Sequence, residues 1–196
     1  MGKKLTIDQT IQSYRNLLKQ NGYDVNNISD NLSNKTEESI TQKIIDNVKD
    51  PDVLLRYSAE YGVLQGVKVA LKNSVDIHTD NDFALRRASL NGHYGVVKLL
   101  LKNGADVYTL DDKSLRLASA EGHYDVVKLL LKNGANVHAQ DYGALQLASY
   151  GGHYDVVKLL LKNGADVHAN NDGSLQWASE EGHYDIINLL KSYMNK

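Results

Sequence analysis

The chain has no cysteine, one proline, one phenylalanine, one tryptophan and two methionines in 196 residues. Without cysteine there is no disulfide framework, no thiolate nucleophile and no cysteine-ligated metal, which fits a reducing compartment, so a cytoplasmic setting is expected. Charge of one sign is also scarce. The formal net charge of −2 offers no bulk attraction to nucleic acid or to an anionic membrane. No apolar run approaches the ~18 residues of a membrane helix, and the opening MGKKLTIDQT lacks the apolar core of a secretory signal. A glycine-rich phosphate loop, a GxSxG elbow and an HExxH helix are all missing, so neither an enzyme nor a cofactor is expected. With 42% hydrophobic residues the chain falls outside the disordered, collagen-like and membrane classes, and a soluble folded protein is expected.

What is present is repetition. NGHYGVVKLLLKNGADV from Asn91, EGHYDVVKLLLKNGANV from Glu121 and GGHYDVVKLLLKNGADV from Gly151 begin 30 residues apart, and a clipped copy, EGHYDIINLLKSYMNK, starts at Glu181. A period of this size denotes stacked units, none of which buries its apolar face until a neighbour covers it. In the unit 112–141, Leu115, Leu117 and Ala118 share one face of a helix of about two turns. That helix starts near Asp112 or Ser114 and ends at Glu121-Gly122. A second helix runs from about His123 to Asn133. Its apolar surface, from Tyr124 through Leu131, is too wide for an exposed helix, so it must be covered on most sides. Gly134 ends it at C′, and Ala135 to His138 form a short extended segment. Ala88, Ala118, Ala148 and Ala178, each followed by serine, hold one small phase of every first helix, where a neighbouring helix can approach closely.

GHYDVVKLLLKNGADV resembles the second helix and following loop of an ankyrin repeat, and ALQLAS stands where that family has its TPLHxA segment. The resemblance covers 52–196 and implies an all-α ankyrin-repeat solenoid with units 52–81, 82–111, 112–141, 142–171 and a C-terminal cap, 172–196. Two departures stand out: no unit has the family's proline, and arginine or glutamine at 86, 116, 146 and 176 replaces its histidine. The loop between units is three residues short, so the fingertip that often supplies partner contacts in the family should be stubby. Thirty-residue units of this kind are similar to those of ankyrin proteins of amoeba-infecting giant viruses, which implies a viral protein in a host cytoplasm.

Residues 1–50 are expected to form an N-terminal helical cap. Ile7, Ile11, Tyr14, Leu17 and Leu18 have helical spacing, Asn21 to Val25 echo the end of a repeat and so suggest a half repeat, and a helix over about 36–48 ends at Asp50-Pro51. A separate recruiting element is the alternative. Gly2 and Thr6 match the N-myristoylation pattern, which is short and often matched by chance. The sequons at Asn27, Asn31 and Asn34 read as a polar loop.

Histidines at 93, 123, 153 and 183 open the second helices, and those at 78, 138 and 168 lie in the loops. Metal ligation needs nitrogens about 2.0–2.1 Å from one ion, whereas equivalent residues of stacked helices stand roughly 8–10 Å apart, so no register can chelate. The resemblance implies structural hydrogen bonds for His93 and its equivalents. A lysine ladder at 98, 102, 128, 132, 158 and 162 lacks interleaved aromatics and complements helix dipoles, which argues against nucleic acid.

The second helices hardly vary between units, so specificity is expected in the first helices and adjoining loops, the side that lines the inner groove in the ankyrin family. The expected contacts of a protein partner are Arg86, Leu90, Tyr108, Leu110, Arg116, Tyr142, Gln146, Tyr150, Gln176 and Glu180. Arg87 and Trp177 break an otherwise leucine phase, through end-of-stack packing or through binding. The functional expectation is a monomeric, non-enzymatic protein–protein interaction module. The alternative is a structural or self-assembling repeat protein.

Overall fold

The computed structural model describes residues 48–140 and 143–195, together with residues 12, 16, 19, 42, 45 and 46. The half repeat, the sequons and Gly2 lie outside these residues, as does most of the expected N-terminal cap. Of that stretch Ile45 and Val48 belong to the buried core. From Pro51 onward the described residues form ten helices and no strand: α1 Pro51–Tyr61, α2 Leu64–Lys72, α3 Thr79–Leu90, α4 Tyr94–Lys102, α5 Thr109–Ala120, α6 Tyr124–Lys132, α7 Ala144–Tyr150, α8 Tyr154–Lys162, α9 Ala169–Glu180 and α10 Tyr184–Met194. They pair as helix–turn–helix units that stack in chain order, first helix on first helix and second on second.

Packing follows the repeated phases. Leu85 and Leu115 of the first helices, and Leu100, Leu130, Leu160 and Leu190 of the second, are at most 1% exposed and form one continuous apolar column. Ala88, Ala118, Ala148 and Ala178 are fully buried. At full burial a leucine contributes roughly 1.5–3 kcal/mol, and most of it is realised only when the next unit arrives.

The second helices α4, α6 and α8 end at a glycine, as their sequence requires. Ala135 N–H donates to Leu130 O and Gly134 N–H to Leu131 O, both at 3.1 Å, with Gly134 at φ 96°. These are the paired bonds of a Schellman end. The first unit has Ser74 at this place, at φ 56°.

A second glycine register joins the units. Gly62, Gly92, Gly122 and Gly152 lie at φ between 69° and 75° in the turn between paired helices, and a Cβ at any of them would meet the imidazole of the next unit's histidine. That histidine bonds through Nε2 to the last turn of the preceding first helix: His93 to Glu60 O at 3.0 Å, His123 to Leu90 O at 2.9 Å, His153 to Ala120 O at 2.8 Å and His183 to Tyr150 O at 2.9 Å. The ladder thus consumes carbonyls that a helix end leaves without an intrahelical partner.

The connection between units differs from the expected extended segment. His138 N–H donates to the Asn136 side chain at 3.0 Å, which folds this stretch into an Asx turn. In three of the joints the chain then passes through consecutive left-handed residues, 80–82, 110–112 and 170–172, before the right-handed helix begins. The right-handed first helix therefore begins just after Asp112, within the expected bounds, and the chain enters it through a left-handed turn in place of a loop. Eight of these nine residues are Asp or Asn, the types that tolerate this conformation, and the exception is Leu110.

Candidate functional site

The first helices and their left-handed turns form one side of the stack, which carries the residues expected to meet a partner. Tyr108 is 58% exposed, Leu110 44% and Tyr150 50%. Glu180 and Gln176 are exposed, and Leu90, Arg86 and Arg116 are half-buried. Gln146 lies only 2% exposed, turned into the body of the stack. Tyr142 falls outside the described residues.

Local chemistry explains several of these placements. Arg86 donates to Asp80 O at 2.7 Å and Asn81 O at 2.9 Å, Arg116 reaches Leu110 O and Asp111 O, and Gln176 donates to Asn171 O at 2.7 Å. The polar residue at this phase ties down the carbonyls of the left-handed turn. At the phase of Leu90, Ala120 and Tyr150 the backbone carbonyl is the acceptor for the next histidine. The side chain there differs from unit to unit. Arg87 pairs with Glu60 of the preceding unit, and the Trp177 ring meets Tyr150 edge-on at 5.2 Å, so both departures from the leucine phase are contacts between units. Phe83 is flanked by the guanidiniums of Arg56, Arg86 and Arg87, 5.0 to 6.0 Å from its ring centre.

Beneath this side runs a series of aspartates, Asp82, Asp112 and Asp172. Asp82, 3% exposed, accepts from Asp106 N–H at 2.8 Å and Thr109 Oγ1 at 2.9 Å and faces His78 Nδ1 at 3.2 Å. Asp112, 4% exposed, accepts from Asn136 N–H at 2.8 Å. Ala139 and Tyr108 stand where Asp82 has a threonine and a histidine. Burial pushes the Asp112 carboxyl above the usual carboxylate range, against the opposing effect of that backbone bond. Burial likewise holds His93 and His123 below the ordinary imidazole range despite their carbonyl bonds, so both are neutral Nε2–H donors at neutral pH.

The opposite, second-helix side is not featureless. Tyr94, Tyr124 and Tyr184 are exposed, 39 to 76%, and between α6 and α8 a shallow depression is lined by Tyr124, Asp155, Lys158, Leu159 and Lys162. The near-identity of the second helices had marked them as scaffold alone. The signal for an exposed aromatic row was present in the repeated HY pair. Among the described residues no helix is long and apolar enough to cross a membrane.

A family model for ankyrin repeats in three copies matches residues 15–111 and 115–196. The chain belongs to the ankyrin-repeat family. No curated protein matches it. Ankyrin repeats generally mediate protein–protein interaction and are typically non-enzymatic, which turns attention to the side of this ankyrin chain where side chains are exposed and differ from unit to unit.

Proposed function

We propose that this ankyrin-repeat chain is a non-enzymatic, monomeric module that binds a protein partner on the side built from its first helices and left-handed turns. The observation that carries the reading is the exposure of Tyr108, Leu110 and Tyr150 at phases whose side chain differs from unit to unit. Large apolar and aromatic side chains of this kind are the usual anchors of an interface. Arg116 and Glu180 flank them with charge of both signs, suited to orienting a partner. The short connections leave no long finger, so the contact falls on the helices and turns themselves. A cytoplasmic setting, in a host cell for a viral protein, belongs to the same proposal.

Quantitative affinity capture with the wild-type chain and with Tyr108→Ala/Leu110→Asn/Tyr150→Ala tests the surface. Partner recovery should fall at least tenfold in the variant while circular dichroism stays helical, and undiminished recovery would remove this side as the interface. Light scattering of the wild type should give one chain per particle; a mass that grows with concentration would favour self-assembly.

A further inference from the structure

The formal net charge of −2 conceals a separation of charge between the two kinds of helix. The five second helices, α2, α4, α6, α8 and α10, carry nine lysines and three aspartates, whereas the rest of 51–196 carries six lysines and arginines against fourteen aspartates and glutamates. Two columns of lysine run along this side. One, Lys72, Lys102, Lys132 and Lys162, occupies the last turn of its helices, where a cation complements the helix dipole. The other, Lys68, Lys98, Lys128 and Lys158, lies at mid-helix, beyond the reach of that effect, and four residues before the first column, so each helix holds two like charges as repelling neighbours. All eight are exposed, and none pairs with a carboxylate among the described residues. Lysine is not a demand of the repeat itself, since α10 has Asn188 and Ser192 at the same two phases.

Between α6 and α8 this side sinks into the depression lined by Tyr124, Asp155, Lys158, Leu159 and Lys162, with a volume of about 370 Å³. The same residue types recur at the joint of α4 and α6, as Tyr94, Asp125, Lys128, Leu129 and Lys132. Packed neighbouring helices stand roughly 8–10 Å apart, and an extended chain advances about 3.3 Å per residue. A strand laid across the second helices therefore brings every third side chain to the next pair of lysines. Asp155 narrows the class of anion. A layer of lipid headgroups or a nucleic-acid strand presents negative charge without interruption and meets repulsion at each aspartate of this side. An extended polypeptide presents carboxylates at intervals, with backbone N–H groups between them that an aspartate can accept.

We propose that the second-helix side is a further docking surface, which takes an extended acidic segment of a protein with a glutamate or aspartate at every third residue. The segment crosses α4, α6 and α8, and each of its carboxylates sits between the two lysines of one helix, relieving their mutual repulsion. Tyr94 and Tyr124, 44% and 39% exposed, supply apolar area beside the lysines. This surface goes beyond the first-helix reading and does not depend on it, because the two lie on opposite sides of the stack.

The test is a nitrogen-15 NMR titration of the full chain, at low ionic strength, with an N-acetylated peptide amide in which Glu-Ser-Ser is repeated four times. The controls are a peptide of the same composition with its four glutamates contiguous, and the spaced peptide with glutamine in place of glutamate. The spaced peptide should give saturable shifts confined to α4, α6 and α8, the contiguous one should bind at least fivefold more weakly, and the glutamine one should give no saturable shift. Lys98→Gln/Lys128→Gln/Lys158→Gln removes the mid-helix column and should weaken binding at least tenfold while circular dichroism stays helical. Absence of saturable shifts, equal binding of the contiguous peptide, or undiminished binding by the lysine variant would overturn the proposal. Tighter binding of phosphatidylserine vesicles or of a deoxythymidine oligonucleotide would also overturn it, by assigning the side to an uninterrupted anion. So would a particle mass that grows at low salt in the wild type and not in the lysine variant, which would assign the side to the acidic surface of a second copy. The Tyr108→Ala/Leu110→Asn/Tyr150→Ala variant should leave the titration unchanged, so a failure of the first-helix reading and a failure of this one are read separately.

Discussion

At the scale of single residues the turns between units carry an unequal load. Leu110 sits at φ 52°, ψ 49°, where a non-glycine residue costs roughly 1–2 kcal/mol, and Asn or Asp recovers part of that through local hydrogen bonds. Its counterparts Asp80 and Asn170 are of the tolerant kind. Strain kept at an exposed apolar residue points to a use outside folding. Leu110→Asn should raise stability by about 1 kcal/mol, seen as a higher urea midpoint; an unchanged or lower midpoint would show that leucine is unstrained there. Asp112 makes a second case. Its folded-state carboxyl is raised above the ordinary range by burial, so the ionised form costs stability at neutral pH, and the cost is relieved as pH falls from that raised value to the lower unfolded one. Asp112→Asn keeps an acceptor for Asn136 N–H without the charge. Its urea midpoint at pH 7 should match or exceed that of the wild type, whereas Asp82→Asn, which disturbs three polar partners, should lower it.

Individual elements are held mainly by what the next unit brings. The imidazole ladder shows this most directly, since each histidine at the start of a second helix needs the carbonyl of the previous first helix and a glycine beneath its ring. His93 and His123 have folded-state values depressed by burial, so both states are neutral at high pH. As pH falls below the unfolded value of about 6.5 the unfolded chain takes up protons first, and stability is lost until the depressed folded values are reached. Urea midpoints measured from pH 7.5 down to pH 5 should therefore fall, and the His93→Gln/His123→Gln variant should show a shallower fall over the same interval. An equally steep slope in the variant would place the acid sensitivity elsewhere. The Arg86, Arg116 and Gln176 side chains act within an element in the same local way, each tying the left-handed turn to the helix that follows it.

For the molecule as a whole, the 30-residue period made nearly all of the architecture legible before any contact was seen. Helix pairs, the glycines that end them, the buried alanine phase and the second-helix bounds to within a residue follow from local periodicity and capping, and these are short-range rules written into each copy. The left-handed turns were not read, although runs such as Asp80-Asn81-Asp82 and Asn170-Asn171-Asp172 were the clue, because a turn of that kind has no periodic signature. Identity of type and spacing also hid the difference between Arg116, half-buried and bound to its own turn, and Gln146, enclosed without a partner. Which side chain faces outward depends on the neighbouring unit and on the glycines that make room for it. By itself the sequence determined a stacked ankyrin chain and the phases at which it may vary, since local propensity and apolar spacing act within one unit. Only the tertiary structure decided that Gln146 is enclosed while Arg86, Arg116 and Gln176 hold their own left-handed turns, because that depends on the neighbouring unit which stacking brings against each.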